Sequence, residues 1–386
     1  MLSYVLVVLF MTQPLSASRL IWRWAVGLLG AWVLTWLAAP WIVDSILVRV
    51  EDPDLQLVTL REGDVIRWRG EGWARTKVGP YGLPGWTPNG AAERLVLWGD
   101  SQVEGFCVND DEKIGHQLVS MAQRDLKRTI ECIPFGRSGT DAIDWIDQLE
   151  AVDQHLRPEF HVWIVAELSD LQCLSDGKQG RRTVSRWKKP SNHWIAVAKD
   201  WRAETAFHVA RRLLLDPTTG QLRSLRWSLG PIRNTNVSPQ TPHTGTVSSG
   251  ADDADVAGTK QSRPDPTAMV ADVILQVNES LNDRLIVLYV PAVPRFAADI
   301  VMTHPDDAAW ERLASALADR KVRVVDCRPR FREHWEHHGT ITRGFHNGTP
   351  SYGHLNATGN RLIGEAILDA LRKVHDGANS HAMAGQ

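Results

Sequence analysis

The sequence predicts an α/β protein with a central parallel five-stranded sheet, preceded by an N-terminal transmembrane helix. Three observations predict it. Short apolar runs at 94–98, 130–135, 161–166, 284–290 and 322–326 are rich in Val, Ile and Leu with little polar alternation, as befits strands buried on both faces. Helical periodicity fills the intervals between them, and strand–helix alternation means a parallel sheet with helices on both sides, wound right-handed into a doubly wound fold. About twenty residues from Trp24 to Val43 carry no charge, the length of a bilayer-crossing helix.

The 386 residues, 43% hydrophobic and 23% charged, are enough for a large core, and a net charge of −2 leaves no electrostatic footprint for nucleic acid. Five of the 17 tryptophans, Trp22, Trp24, Trp32, Trp36 and Trp41, fall in the N-terminal stretch and suit bilayer interfaces. Arg19 and Arg23 precede it, while Asp44, Arg49, Glu51, Asp52 and Asp54 follow. The expected order is a cytoplasmic N-terminus (1–19), a single-pass anchor (20–48) and an extracytoplasmic domain, periplasmic in a Gram-negative cell. A cleaved signal peptide is the competing reading; the run is long for one, and Pro40 spoils the Ala38-Ala39 site. Met11 is an alternative first residue.

Residues 49–90 alternate in short runs and read as a small β lead-in. The main domain spans 91–376, followed by a flexible tail (377–386). Helices are expected at 141–156, 268–281, 306–317 and 357–374, where apolar residues recur at three and four. Residues 171–266 form an insertion, with a helical stretch at 194–215 and a polar tract at 234–266 too poor in large apolar residues to be ordered. Cys107, Cys132, Cys173 and Cys327 lack metal spacing; buried free thiols and disulfides are both open. His346 and the cluster His334, His337 and His338 lie in a polar stretch read as a solvated loop rather than a metal site.

In an open parallel sheet, functional groups gather beyond the strands' C-terminal ends. Four loops meet that condition: Gly99-Asp100-Ser101-Gln102, Gly136-Arg137-Ser138-Gly139-Thr140, Glu167-Leu168-Ser169-Asp170 and Ser351-Tyr352-Gly353-His354-Leu355-Asn356. Arg137 reads equally as a contact for an anionic or sugar substrate and as a surface ion-pair partner.

With "GDSQVEGFCV" opening the domain, "GRSGTD" next and "GHLNATGN" before the last helix, the chain resembles the SGNH/GDSL hydrolase family over 94–170 and 284–372. The resemblance implies a flavodoxin-like three-layer α/β/α fold, with Ser101 as nucleophile, His354 as base, and Ser101 and Gly139 as oxyanion donors. Asp100, Asn356 and Gly359 fit the family pattern. Two positions depart from it. Ser169, followed by Asp170, stands where the family has an asparagine, and Ser351 stands where it has the orienting aspartate. A backbone carbonyl could orient the ring instead, and the Ser169 hydroxyl could donate to the oxyanion.

The expected function is a membrane-anchored serine hydrolase that cleaves or transfers an acyl or O-acetyl ester on a carbohydrate or lipid, without cofactor or metal. A membrane acyl-donor protein is a possible partner if the acyl group goes to a sugar. The alternative is a non-catalytic domain that binds glycan or a partner at the same loops.

Overall fold

The computed structural model describes residues 17–384 apart from 43, 56, 176–265, 291–294, 298–299, 303, 305 and 349–350. The expected helix at 194–215 and the polar tract at 234–266, apart from Pro266, lie outside the described residues.

The N-terminal apolar stretch forms α1 (Ala17–Ile42), along which Ile21, Trp22, Trp24, Leu28 and Trp32 are exposed. Among the described residues, no helix is long and apolar enough to cross a membrane. The lead-in is two antiparallel hairpins. β1 (Arg49–Asp52) pairs with β2 (Leu57–Leu60), and β3 (Val65–Trp68) with β4 (Ala74–Lys77). Each buries apolar side chains against the domain: Leu57 and Val58 in the first, Ile66 in the second.

The main sheet comprises β5 (Glu93–Gly99), β6 (Ile130–Gly136), β7 (Phe160–Val165), β8 (Leu285–Tyr289) and β11 (Arg323–Asp326). β9 (Arg295–Ala297) and β10 (Ile300–Met302) form a separate hairpin. All pairs in the main sheet are parallel, in the order β6-β5-β7-β8-β11. This is the 2-1-3-4-5 order of flavodoxin-like sheets, with β5 at the switch point. The strands lie within a residue or two of the sequence expectation, because a run buried on both faces announces itself by composition alone.

Successive side chains on a strand point to opposite faces, and the two cores follow that division. Val96 and Trp98 join one core with α4 (Ala142–Leu156), α6 (Pro266–Ser280) and α7 (Asp306–Asp319). Leu95 and Leu97 join the other with α3 (Ile114–Met121), α8 (Arg328–His338) and α9 (Ala357–Ala384). The result is the expected three-layer sandwich. Two short helices, α2 (Ser101–Glu104) and α5 (Ser169–Gln172), follow β5 and β7.

Two expectations need correction. The stretch carrying His334, His337 and His338 is helical, α8, not a loop. Only Phe331 is buried along it, so its apolar periodicity is too thin to read; Gly339 at φ 59° closes it, the left-handed position that glycine tolerates. His337 and His338 face solvent, and none of these histidines joins a metal-competent cluster among the described residues. Arg137 neither lines the cleft described below nor lies on the surface. It is buried and donates to the Val58 carbonyl at 3.2 Å, under the first hairpin.

All four cysteines are free, with Cys107, Cys132 and Cys327 buried. Burial pushes each of those three thiols up from its ordinary pKa.

Candidate active site

β5 ends at Gly99, and Asp100 caps α2 by accepting from Gln102 N at 2.9 Å. The turn sets Ser101 at the C-terminal end of the second strand in the sheet order, and the Ser101 hydroxyl contacts Asp100 Oδ2 at 3.5 Å. Gln102 reaches across to the last loop, where its Oε1 accepts from Leu355 N at 2.9 Å. This bond ties the serine loop to the histidine loop over 253 positions of sequence.

Ser101 and His354 share a cleft of about 510 Å³ with Asp100, Glu167, Ser169 and Arg343. The His354 ring faces an unexpected partner. Its Nδ1 lies 2.6 Å from Glu71 Oε2, and its backbone N–H donates to Glu71 Oε1 at 2.9 Å. The ring is thus bound by a carboxylate, not by a backbone carbonyl, and that carboxylate comes from the β3–β4 turn rather than from position 351. Ser351 sits at φ 61° and donates its N–H to the Arg343 carbonyl at 3.2 Å.

The turn holding Glu71 is built for that contact. Asn347, buried, accepts from Gly72 N at 2.8 Å and donates to the carbonyls of Arg69 at 3.0 Å and Gly72 at 2.8 Å. Gly72 at φ 73° lies so close to Cys107 that a Cβ would stand 2.0 Å from its carbonyl oxygen. Gly353 at φ 90° leaves the space the Glu71 carboxylate occupies; a Cβ there would meet Oε1 at 2.3 Å. Both positions require glycine for conformation and for close approach.

Burial lowers the His354 pKa, but hydrogen bonds to Cys107 and Glu71 and the Glu71 charge outweigh it and raise it to about 10. Burial opposes ionisation of Glu71, yet the His354 contacts hold it below the ordinary carboxylate value. Near the cleft, burial followed by the charge of Asp100 pushes Asp170 up to about 8, and burial also raises Asp100. The Asp100 charge opposes ionisation of Asp170, so with a pKa of about 8 Asp170 stays mostly protonated at neutral pH.

The second loop is fixed from beneath. Glu104, 1% exposed, accepts from Ser138 N at 2.8 Å and from the Ser138 hydroxyl, and pairs with Arg49 at 3.0 Å. Gly136 permits the approach, since a Cβ there would stand 2.2 Å from Glu104 N. Gly139 is exposed at φ 75° on this loop. Ser169 lines the cleft, but its hydroxyl is directed to Glu167 Oε2 at 3.3 Å. Asn356 serves the start of α9: its Oδ1 accepts from Gly359 N at 3.1 Å and its Nδ2 donates to the Ile341 carbonyl at 2.9 Å.

Arg343 is buried and donates to the Gly353 carbonyl at 3.0 Å, while its Nε and Nη2 have no hydrogen-bond partner. Burial lowers its pKa to about 10 against the pull of Asp100, Glu167, Tyr289 and Glu71, so it remains a cation at neutral pH within this carboxylate-rich cleft. The loop sequences disclosed Ser101 and His354. They did not disclose Glu71, Asn347, Glu104 or Arg343, although an acid between two glycines at a hairpin end, Gly70-Glu71-Gly72, was a legible signal.

No family model matches the chain, and no curated protein matches it. Solved structures do. The chain is similar to LAE5, an alpha/beta hydrolase enzyme from the metagenome of Lake Arreo, at 13% identity and TM-score 0.38, covering 72% of this chain and 95% of that one. It is similar to Axe2, an acetylxylan esterase from Geobacillus stearothermophilus, at 12% identity and TM-score 0.36, covering 72% and 94%. A lipase/acylhydrolase from Enterococcus faecalis gives 12% identity and TM-score 0.33, covering 73% and 96%. At these TM-scores none of the three informs the chemistry, which must come from this chain's own side chains. The sheet order places Ser101 after the first main strand and His354 before the last helix, the arrangement that the SGNH/GDSL resemblance implies.

Proposed function

We propose that the protein is a serine hydrolase of SGNH type acting on an acyl ester. The observation that carries this reading is one cleft holding Ser101 together with a His354 ring whose Nδ1 is bound to a carboxylate. A serine hydroxyl is a weak nucleophile until a base removes its proton, and a third group must orient that base. In this reading Glu71 holds Nδ1, and Nε2 of the neutral form of the ring accepts the proton as the Ser101 oxygen attacks the ester carbonyl. The hydroxyl's 3.5 Å contact is to Asp100, so it turns toward the ring as substrate binds; catalytic hydrogen bonds commonly tighten only in the Michaelis complex. The backbone N–H groups of Ser101 and Gly139 are the oxyanion donors in this reading. His354 then protonates the leaving alcohol, and water or a second alcohol releases the acyl group.

The cleft favours a sugar over a lipid chain. Its lining carries Glu167, Gln172, Asp306 and Arg343, which suit hydroxyl groups, and Tyr352, 61% exposed, offers a flat apolar surface at the rim. O-acetyl groups on a carbohydrate are the substrate we assign, with hydrolysis and transfer to a second hydroxyl as the two fates of the acyl-enzyme; transfer would call for a membrane acyl donor. We further assign α1 the task of holding the domain at a membrane, its N-terminus cytoplasmic and the domain outside. The exposed Trp and Leu side chains and the flanking Arg19 and Arg23 support this, and recovery of the full chain in the aqueous phase on detergent partitioning would count against it.

Incubation with a fluorophosphonate probe tests the chemistry. Covalent labelling of the wild type that is absent from Ser101→Ala is expected. Folded protein that resists labelling yet binds acetylated oligosaccharide would instead identify a non-catalytic glycan-binding domain.

A further inference from the structure

The proposed reaction leaves one buried thiol at the site unused. Cys107 is 3% exposed. Its Sγ, a ring nitrogen of His354 and a carboxylate oxygen of Glu71 all lie within 4.8 Å of one another. Sulfur, imidazole nitrogen and carboxylate oxygen are the donors that zinc takes, at roughly 2.3 Å from sulfur and 2.0–2.2 Å from nitrogen or oxygen, in a tetrahedron that can leave its fourth corner open. Such a tetrahedron separates its ligand atoms by roughly 3.3–3.7 Å. The Glu71–His354 pair at 2.6 Å would open slightly around an ion, and the sulfur would close in.

The three donors are already held on separate supports. Asn347 pins the Glu71 turn, Gly72 packs that turn against the Cys107 carbonyl, and the Gln102–Leu355 bond fixes the His354 loop. Gly353 and His354 line the cleft, which gives an ion a route in and a free corner facing the substrate.

We infer that Glu71, Cys107 and His354 form a site for a divalent thiophilic cation such as Zn²⁺, and that its occupancy switches the hydrolytic site off. As the metal–sulfur and metal–nitrogen bonds form, the thiol proton and the proton on the ligating ring nitrogen leave to solvent; no electron changes hands. Glu71 then binds the metal instead of steering the ring, and His354 no longer serves Ser101. The inhibition rests on the hydrolase reading; the binding does not.

The test uses the full chain and Co²⁺ as a visible substitute for Zn²⁺. One equivalent of Co²⁺ is expected to produce a thiolate-to-metal charge-transfer band that Zn²⁺ abolishes. Ser101→Ala should keep the band, whereas Cys107→Ser should lack it. In parallel, Zn²⁺ should stop ester hydrolysis by the wild type, reversibly with a chelator. Cys107→Ser should still hydrolyse ester and need more than about 10–100-fold higher Zn²⁺, since even outer-shell losses weaken metal sites by that factor. Cys107→Ala provides a second variant if serine disturbs the buried position. Absence of the band in the wild type, its persistence in both Cys107 variants, or equal Zn²⁺ sensitivity in variants and wild type would each overturn the proposal. Hydrolysis missing throughout while the band follows the expected pattern would remove the hydrolase reading and leave the metal site standing.

Discussion

Replacing Glu71 with glutamine removes one negative charge from the His354 ring and keeps the side chain's shape. Two opposing effects follow. With Glu71 in place the ring has a pKa of about 10, so at pH 7 only about one part in 10³ is the neutral base, by the titration relation. Without the carboxylate, burial acts with less opposition, the pKa falls, and far more of the ring is neutral at pH 7. The glutamine amide, however, can donate to Nδ1 and stabilise the wrong tautomer. In the serine-protease template that change costs about 10⁴ in turnover. Both effects act at pH 7 and oppose each other, so the net loss in kcat/KM there should be well below the about 10⁴ that the tautomer change alone would cost. At pH 10, where the wild-type ring is half neutral, the loss should approach about 10³–10⁴. The assay is acetate release from an unactivated acetyl ester between pH 6 and 10.5, with chelator present and spontaneous hydrolysis subtracted. A ratio of wild-type to variant activity that does not grow with pH would refute the assignment of Glu71 as the orienting carboxylate.

Asn347→Ala removes three hydrogen bonds from the Glu71 turn and leaves the Gly72 N–H and carbonyl buried; a stability loss of about 1–3 kcal/mol in denaturant titration and a fall in kcat larger than any change in KM are expected. Gly353→Ala places a methyl group 2.3 Å from Glu71 Oε1 at φ 90°, which should cost about 1–3 kcal/mol and reduce activity toward that of Glu71→Gln. Asp170→Asn should alter the pH dependence of stability. Asp170 has a folded pKa of about 8 against an ordinary value of 3.8, so its favourable contribution is complete below about 3.8 and is lost as pH rises through 8. Thermal melts should therefore show the variant gaining on the wild type steadily from pH 4 to pH 8.

The sheet was legible because each strand is buried on both faces and its composition needs no partner to interpret. Ser101 and His354 were legible because the residues that identify them are their neighbours in sequence. Glu71 was hidden for the opposite reason: 283 positions separate it from His354, and the expected place for a carboxylate, Ser351, is occupied by a residue at positive φ in a turn. Arg137 misled because its charge suggested solvent or substrate, whereas the first hairpin folds over it and supplies a carbonyl at 3.2 Å. α8 was missed because an exposed amphipathic helix anchored by one buried phenylalanine leaves little periodic trace.

The β3–β4 hairpin lies outside the three-layer sandwich in sequence, yet its Glu71 reaches the cleft at its end. A recombinant boundary drawn at residue 91, just before the sheet begins, would yield a protein stripped of the carboxylate that binds the His354 ring while retaining every recognisable signature. The same hairpin joins the His354 loop to the stretch that emerges from α1, where Asp44 accepts from Gly70 N at 3.1 Å. Tension or tilt transmitted along those few residues would therefore bear directly on how firmly the imidazole is steered.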